Sequence, residues 1–221
     1  MLEAKKSAWF EKIFAIYNRN LFKRRFQALR VEGIENLNQF PMVIYCNHSS
    51  WWDGLVVFEV LRSVKIDSYV MMEEKQLKNL QLFRKLGAFS VVRENPREAV
   101  KSINYAVKLL KEKNNRAVWM FPQGKILPND LRPIEFYNGI SRIIEKVGKC
   151  YVVPLVMRFE FFGDWKPEVL VKIGKSEQIN SGKKGSSKEL SKDLAENLTN
   201  VLDQLKLEIN TNQLAKYKNI L

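Results

Sequence analysis

Two rhythms of apolar and polar residues run along the 221-residue chain. Residues 7–25, SAWFEKIFAIYNRNLFKRR, carry a helical rhythm. Trp9, Ile13, Ile16 and Tyr17 share one stripe, Phe10, Phe14 and Leu21 widen it, and Glu11, Lys12, Asn18, Arg19 and residues 23–25 are polar. From residue 42 onward, short apolar runs alternate with helical patterns. MVIYC (42–46) predicts a buried strand, GLVVFEVLR (54–62) a helix and SYVMM (68–72) a second strand. QLKNLQLFRKLG (76–87) predicts a helix ending at glycine, and AFSVVR (88–93) a third strand. Asn95 ahead of Pro96 is a cap and first-turn pair for a helix reaching about Lys113. RAVWMFP (116–122) predicts a strand, GISRIIEKVG (139–148) a helix, and YVVPLVMRFEF (151–161) and EVLVKIG (168–174) two neighbouring strands. This order predicts an α/β fold: a mixed, largely parallel central sheet flanked by helices on both faces, with an amphipathic helix in front.

The tail changes character. NSGKKGSSKE (180–189) predicts a polar connector, and Ser186 and Glu189 have capping-box spacing. Leu190, Leu194, Leu198, Val201, Leu202 and Leu205 then form one helical stripe suited to packing on the domain. The expected organisation is an amphipathic basic helix over 1–29, a main domain over 30–179, and a linker with a C-terminal amphipathic helix over 180–221.

Composition adds one unusual quantity. Apolar content of 46% and charge of 28% suit a folded core, but 37 Lys+Arg against 24 Asp+Glu leave +13. That excess points to an acidic partner: nucleic acid, an anionic membrane surface or a phosphorylated substrate. No nucleic-acid-binding module is recognisable and the basic residues are spread along the chain, which disfavours the first. Residues 1–30 hold eight Lys/Arg and two Asp/Glu beside the aromatic stripe. An interfacial helix is expected there, with Trp9, Phe10, Ile13, Phe14 and Tyr17 in contact with lipid. No apolar run approaches the roughly 18–20 residues of a membrane span, and charges interrupt the N-terminal apolar stretch as no signal peptide would allow. The expected location is the cytoplasmic face of a membrane, peripheral or monotopic. Cys46 and Cys150 lie in strand-like segments, which fits a reducing compartment. Without Cys-x-x-Cys or a histidine-rich tract, no metal site is expected.

The candidate chemistry begins at CNHSSWWDG (46–54). His48, the one histidine, follows a predicted buried strand, and in open α/β sheets ligands bind beyond such strand ends. Ser49 and Ser50 are suited to cap the next helix, which puts Asp53 in its first turn, able to reach the imidazole. A carboxylate on one ring nitrogen leaves the other free as a general base, and a helix start supplies N–H groups for a developing oxyanion. Alone, His-x4-Asp also fits a buried structural histidine with a capping aspartate. WMFPQGKILP (119–128) is a second strand ending in special residues: Gly124 permits close backbone approach and Lys125 offers a cation. Arg93 ends another strand, and Pro154 interrupts an apolar one, a position expected at an edge or bulge. Cys46 reads as a small buried strand residue.

Together, and in this order, these segments resemble the glycerolipid acyltransferase family, which includes lysophosphatidate and glycerol-3-phosphate acyltransferases. Its Asn-His-x4-Asp motif is matched by Asn47, His48 and Asp53. Its strand ending in arginine is matched by Arg93, and its Val-Pro strand by Val153 and Pro154. Its Phe-Pro-Glu-Gly-Thr-Arg block is matched in part, by Phe121, Pro122 and Gly124. The resemblance spans roughly residues 30–175. It implies a glycerol-3-phosphate acyltransferase-like fold and O-acyl transfer from an acyl thioester to a lipid hydroxyl. The donor would be acyl-CoA or acyl-carrier protein, with no metal and no cofactor. It also implies His48 as general base, Asp53 as its orienting partner, and Asn47, Arg93, Phe121, Pro122, Gln123, Gly124 and Lys125 as substrate-binding residues. The base works as neutral imidazole, so activity should fall in mild acid. Gln123 stands where the family has Glu, and Lys125-Ile126 where it has Thr-Arg. A lysine is no equal of arginine's bidentate fork on phosphate. Either Arg93, Lys125 or Arg132 compensates, or the acceptor lacks a phosphate, as a glycosylated lipid does. A catalytically inactive lipid-binding relative is the competing reading; the altered block favours it and the intact Asn-His-x4-Asp opposes it.

Overall fold

The computed structural model describes residues 1–113, 115–180 and 186–221. Residues 181–185 of the polar connector expected at 180–189 lie outside the described residues. The first helix, α1 (Ala8–Arg25), is capped by the Ser7 hydroxyl, which accepts from the Phe10 amide, and ends in Lys23, Arg24 and Arg25, where cations favour the helix dipole. Its inner side buries Ala15, Asn18 and Phe22. The Asn18 amide donates to Glu59 at 3.1 Å, tying α1 to α2 (Asp53–Ser63) through a polar pair in the core.

Among the described residues nine strands form one sheet: β1 (Ala28–Glu32), β2 (Met42–Cys46), β3 (Asp67–Glu73), β4 (Ala88–Val91), β5 (Arg116–Met120), β6 (Lys149–Glu160), β7 (Glu168–Ile173), β8 (Glu177–Asn180) and β9 (Lys218–Asn219). The order is β4-β3-β5-β2-β6-β7-β1-β9, with β8 beside the start of β6. The block β4-β3-β5-β2-β6 is parallel throughout, so the ends of β2, β3, β4 and β5 emerge on one edge. β6 and β7 then form an antiparallel hairpin, and β1 runs parallel to β7. The sheet is mixed and largely parallel, as the alternation of patterns predicts.

Both faces are covered. Met42, Ile44 and Cys46 of β2 enter the core beneath α1 and α2; Val43 and Tyr45 enter the core beneath α4 (Pro96–Glu112), α5 (Gly139–Val147) and α6 (Ser187–Asn210). A strand buried on both faces reads as a continuous apolar run, which is why MVIYC carries no alternation. The C-terminal stripe packs on the domain: all six expected apolar positions of α6 are buried, and the Ser186–Glu189 capping box forms. Asn95 accepts from the Arg97 and Glu98 amides at the head of α4.

Several local expectations need correction. The helix expected over 76–87 is two pieces, α3 (Glu74–Asn79) and a 3-10 turn Gln81–Leu86, because Leu80 leaves the helical region (φ −116°, ψ 48°). β1, β8 and β9 are short, carry polar residues and escaped the sequence reading. Pro154 sits in the interior of the long β6, at the point where one side of that strand changes partner. β8 ends at Val152 and β7 begins at Leu155. The Pro154 carbonyl accepts from the Gly174 amide on that side, so the missing proline N–H also falls there, and the ladder to β2 loses nothing.

Candidate active site

The segment after β2 crosses the sheet edge and turns into α2. His48 Nδ1 lies 2.9 Å from Asp53 Oδ2, and the same oxygen accepts from the Ser49 and Ser50 amides at 2.6 and 2.8 Å. Asp53 is fully buried. A carboxylate can only accept, so Nδ1 carries the proton and Nε2 is the nitrogen left to a ligand. The ring is stacked on Phe121 at 4.1 Å and 14°. The two serines do not cap α2, as the sequence suggests. The Asp53 carboxylate collects their amides instead, and the helix opens at Trp52 without a side-chain cap.

The strut behind this loop is Asn47. It is expected to bind substrate, but the structure buries it. Its amide donates to the Met157 carbonyl and Asn129 Oδ1, and its oxygen accepts from the Met157 amide, fixing the end of β2 to β6. Gln123 is likewise turned inward: Oε1 accepts from the His48 amide at 2.8 Å. Gln123 thus holds the His48 backbone and Asn47 holds the end of β2 to β6, and neither lines the cleft. The His48 carbonyl in turn accepts from the Leu127 amide.

A cleft of about 420 Å³ opens at this edge, with His48, Phe121, Pro122, Gly124 and Lys125 in its wall. One arm is apolar, walled by Phe14, Leu55, Phe58, Leu80, Phe83 and Trp119. The other end holds Arg93, Glu73, Lys125 and Tyr137. Arg93 donates to Glu73 at 2.7 Å and lies 5.0 Å over the Tyr137 ring. Gly124 has φ +68°, and a Cβ there would come within 2.0 Å of Arg93 Nη1. Glycine lets the arginine lie directly on the turn. Lys125 is exposed. Arg132, a candidate replacement for a phosphate-binding arginine, is turned away and paired with Asp203 of α6. Cys46 is fully buried, and burial, with the Asp53 charge adding to it, holds its thiol well above the ordinary value, so no thiolate competes with the histidine.

Among the residues proposed to touch lipid, Trp9, Ile13 and Tyr17 face outward, at 72%, 45% and 59% exposure. Phe14 is turned inward onto Phe58 and Phe83, and Phe10 is half-buried against it. Among the described residues no helix is long and apolar enough to cross a membrane. Sequence reasoning missed Glu73, Tyr137 and Asn129. The first stood in plain view at a strand end; the other two lie in loops with no periodic signal.

A parallel α/β sheet with a His-Asp pair at its carboxyl edge defines the class, and the sequence comparison agrees with it. The acyltransferase family profile matches residues 28–158, so the chain belongs to the acyltransferase family. It is similar to a 1-acyl-sn-glycerol-3-phosphate acyltransferase of Saccharomyces cerevisiae, 29% identical over 134 residues. That match takes in 58% of this chain and 42% of the yeast protein, so the chain spans less than half the length of that relative.

Proposed function

We propose that the protein is a membrane-associated O-acyltransferase, working at the cytoplasmic face. It moves a fatty acyl group from a thioester of coenzyme A or acyl-carrier protein to a lipid hydroxyl. One observation carries this reading: the His48–Asp53 pair, at 2.9 Å, faces a cleft with an apolar arm on one side and charged groups on the other. His48 Nε2 takes the acceptor hydroxyl proton as that oxygen attacks the thioester carbonyl. The tetrahedral intermediate collapses, the carbon–sulfur bond breaks, and the imidazolium returns its proton to the departing thiolate. Asp53 holds the ring and offsets the transient positive charge. This sequence needs no metal and no cofactor. The apolar arm suits the acyl chain, and the Arg93–Lys125 end suits the acceptor headgroup.

A lysophosphatidate-type acceptor is the first candidate, in line with the name of the yeast relative. A neutral lipid alcohol, such as a glycosylated lipid, is the second. The Glu73–Arg93 ion pair favours it, because a carboxylate already occupies the guanidinium at which a phosphate would bind. The test is an acceptor panel with labelled acyl-CoA and acyl-carrier protein, with products read by lipid mass spectrometry. His48→Ala should lower turnover on the best acceptor by about 1,000-fold with the fold retained by circular dichroism. Retained turnover would sink the general-base role, and no acylated product from the intact chain would favour an inactive lipid-binding protein.

A further inference from the structure

The loop joining β6 to β7 has no part in the cleft, and its composition is unusual for a surface turn. The ladder between the strands ends at Glu160 and Glu168, and FFGDWKP (161–167) extends beyond the sheet. Phe161, Phe162 and Trp165 are 67%, 44% and 81% exposed. Three large rings open to water on one turn form an apolar patch of the kind that marks an interaction site. Gly163, at φ +90°, makes the bend at the centre.

We propose that this hairpin tip is a second membrane-inserting element, docked beside α1 on the same lipid surface. It rests on the reading of the protein as membrane-associated, and three observations support it. The first is attachment to α1. Lys166 Nζ donates to the Lys23 carbonyl at 3.0 Å, and the Gln27 amide donates to the Pro167 carbonyl at 2.9 Å. The tip is thereby fixed to the last turn of the helix whose outer stripe, Trp9, Ile13, Ile16 and Tyr17, is also exposed.

The second is charge. Lys23, Arg24 and Arg25 are exposed on the last turn of α1, the turn to which Lys166 is bonded, while the tip itself carries one carboxylate, Asp164, and Glu160 and Glu168 at its base are paired with Arg158 and Arg30. Apolar rings beside a basic helix turn match an anionic bilayer: the rings enter the acyl boundary while the cations remain among the headgroups. Lys166 Nζ lies 4.8 Å over the Trp165 ring, which keeps the cation beside the ring at that boundary.

The third is continuity with the cleft. Phe159 at the hairpin base lies 5.8 Å from Phe26, Phe26 lies 5.0 Å from Trp52, and Trp52 lies 5.7 Å from Trp51. Trp51 is 59% exposed and lines the cleft beside His48. This row of ring contacts links the base of the hairpin to the wall of the cleft. A bilayer seated on the hairpin and on α1 would thus lie on the elements that pack against the cleft wall, which suits delivery of a lipid acceptor from the membrane.

Cys46 and Cys150 are buried, so an introduced cysteine can be labelled selectively. Asp164→Cys and Ile16→Cys, each carrying an environment-sensitive nitrobenzoxadiazole label, would be mixed with phosphatidylglycerol–phosphatidylcholine vesicles containing doxyl lipids. The expected result is a blue shift and quenching at both positions. In parallel, Phe161→Ser/Trp165→Ser should weaken vesicle binding at least tenfold with an unchanged melting temperature. Quenching at 16 without quenching at 164 overturns the hairpin inference and leaves the membrane reading standing. Quenching at neither overturns both. A blue shift at 164 that needs no vesicles and grows with protein concentration means the tip buries itself in a second protein, and overturns the inference as well.

Discussion

Gly124 shows how a residue with no side chain shapes the acceptor end of the cleft. Its positive φ and its contact with Arg93 both exclude a Cβ, so Gly124→Ala must displace the guanidinium from the Tyr137 ring and from Glu73. The Michaelis constant for the acceptor should rise about tenfold, the roughly 1–2 kcal/mol that a left-handed non-glycine residue costs locally. Turnover at saturation should change far less, because His48 and Asp53 stay where they are. Steady-state kinetics with varied acceptor decides it: an unchanged constant would remove Arg93 from the acceptor subsite. The motif residues of this site were readable in the sequence, but Glu73, Tyr137 and Asn129 were not, nor was the division of labour among them. Asn47 and Gln123 lie in the motifs and look like ligands, yet Asn47 spends its polar atoms on Met157 and Asn129, and Gln123 accepts from the His48 amide. Only the packing of β2 against β6, and of the turn after β5 against the His48 loop, brings those partners into reach.

At the scale of elements, α1 was legible as an amphipathic helix to within a residue of its observed start, and its polarity was misread in one respect. A wide stripe of apolar residues suggests one lipid-facing side. The structure divides it, with Trp9, Ile13, Ile16 and Tyr17 outward and Phe14 and Phe22 inward. Deleting residues 1–25 would therefore remove part of the core and of the cleft wall, and substitutions on the outer stripe are the cleaner probe of anchoring. The partner change along β6 was legible as an oddity, a proline inside an apolar strand, without its cause. Gly174 is part of that cause. A Cβ at 174 would lie 2.6 Å from Pro154 Cγ and 3.0 Å from Val201 Cγ2. Gly174→Ala should cost about 1–3 kcal/mol, as overpacking in a tight core does, read as a lower urea midpoint. No loss of stability would mean that β7 can shift away freely.

Over the whole molecule, the excess of 37 cations over 24 acids makes each well-placed carboxylate count. Hydrogen bonds from Lys78, Ser90 and the N-terminal amine hold the Glu74 carboxyl down at about 2, and those from Arg158 and Lys206 do the same for Asp130. Both folded values lie below the ordinary carboxylate range. The stability these groups contribute is thus fully present above pH ~5 and is lost as pH falls from there towards 2. Neutralising them also leaves the cations to repel one another. The thermal midpoint should hold above pH ~5 and drop steeply between pH ~5 and ~2, measured by scanning calorimetry; a flat profile across that window would show that these pairs add nothing net. Buried ion pairs reinforce the join between the chain's two ends. Lys172 of β7 donates to Glu208 of α6 and to Glu32 of β1, and Tyr217 donates to Glu208.

The sequence by itself determined the alternation of the long apolar strands and the main helices, the histidine and aspartate at a strand end, and the basic amphipathic start. Each is written in local spacing, and spacing is what the periods of helix and strand report. The tertiary structure alone decided which charges meet. Arg93 faces Glu73 because β3 and β4 are neighbours, Arg132 is lost to Asp203 because α6 folds back over the loop, and the aromatic hairpin tip reaches α1 across a gap of 143 residues. Such contacts depend on the sheet order and on how helices close over it, which no local pattern contains.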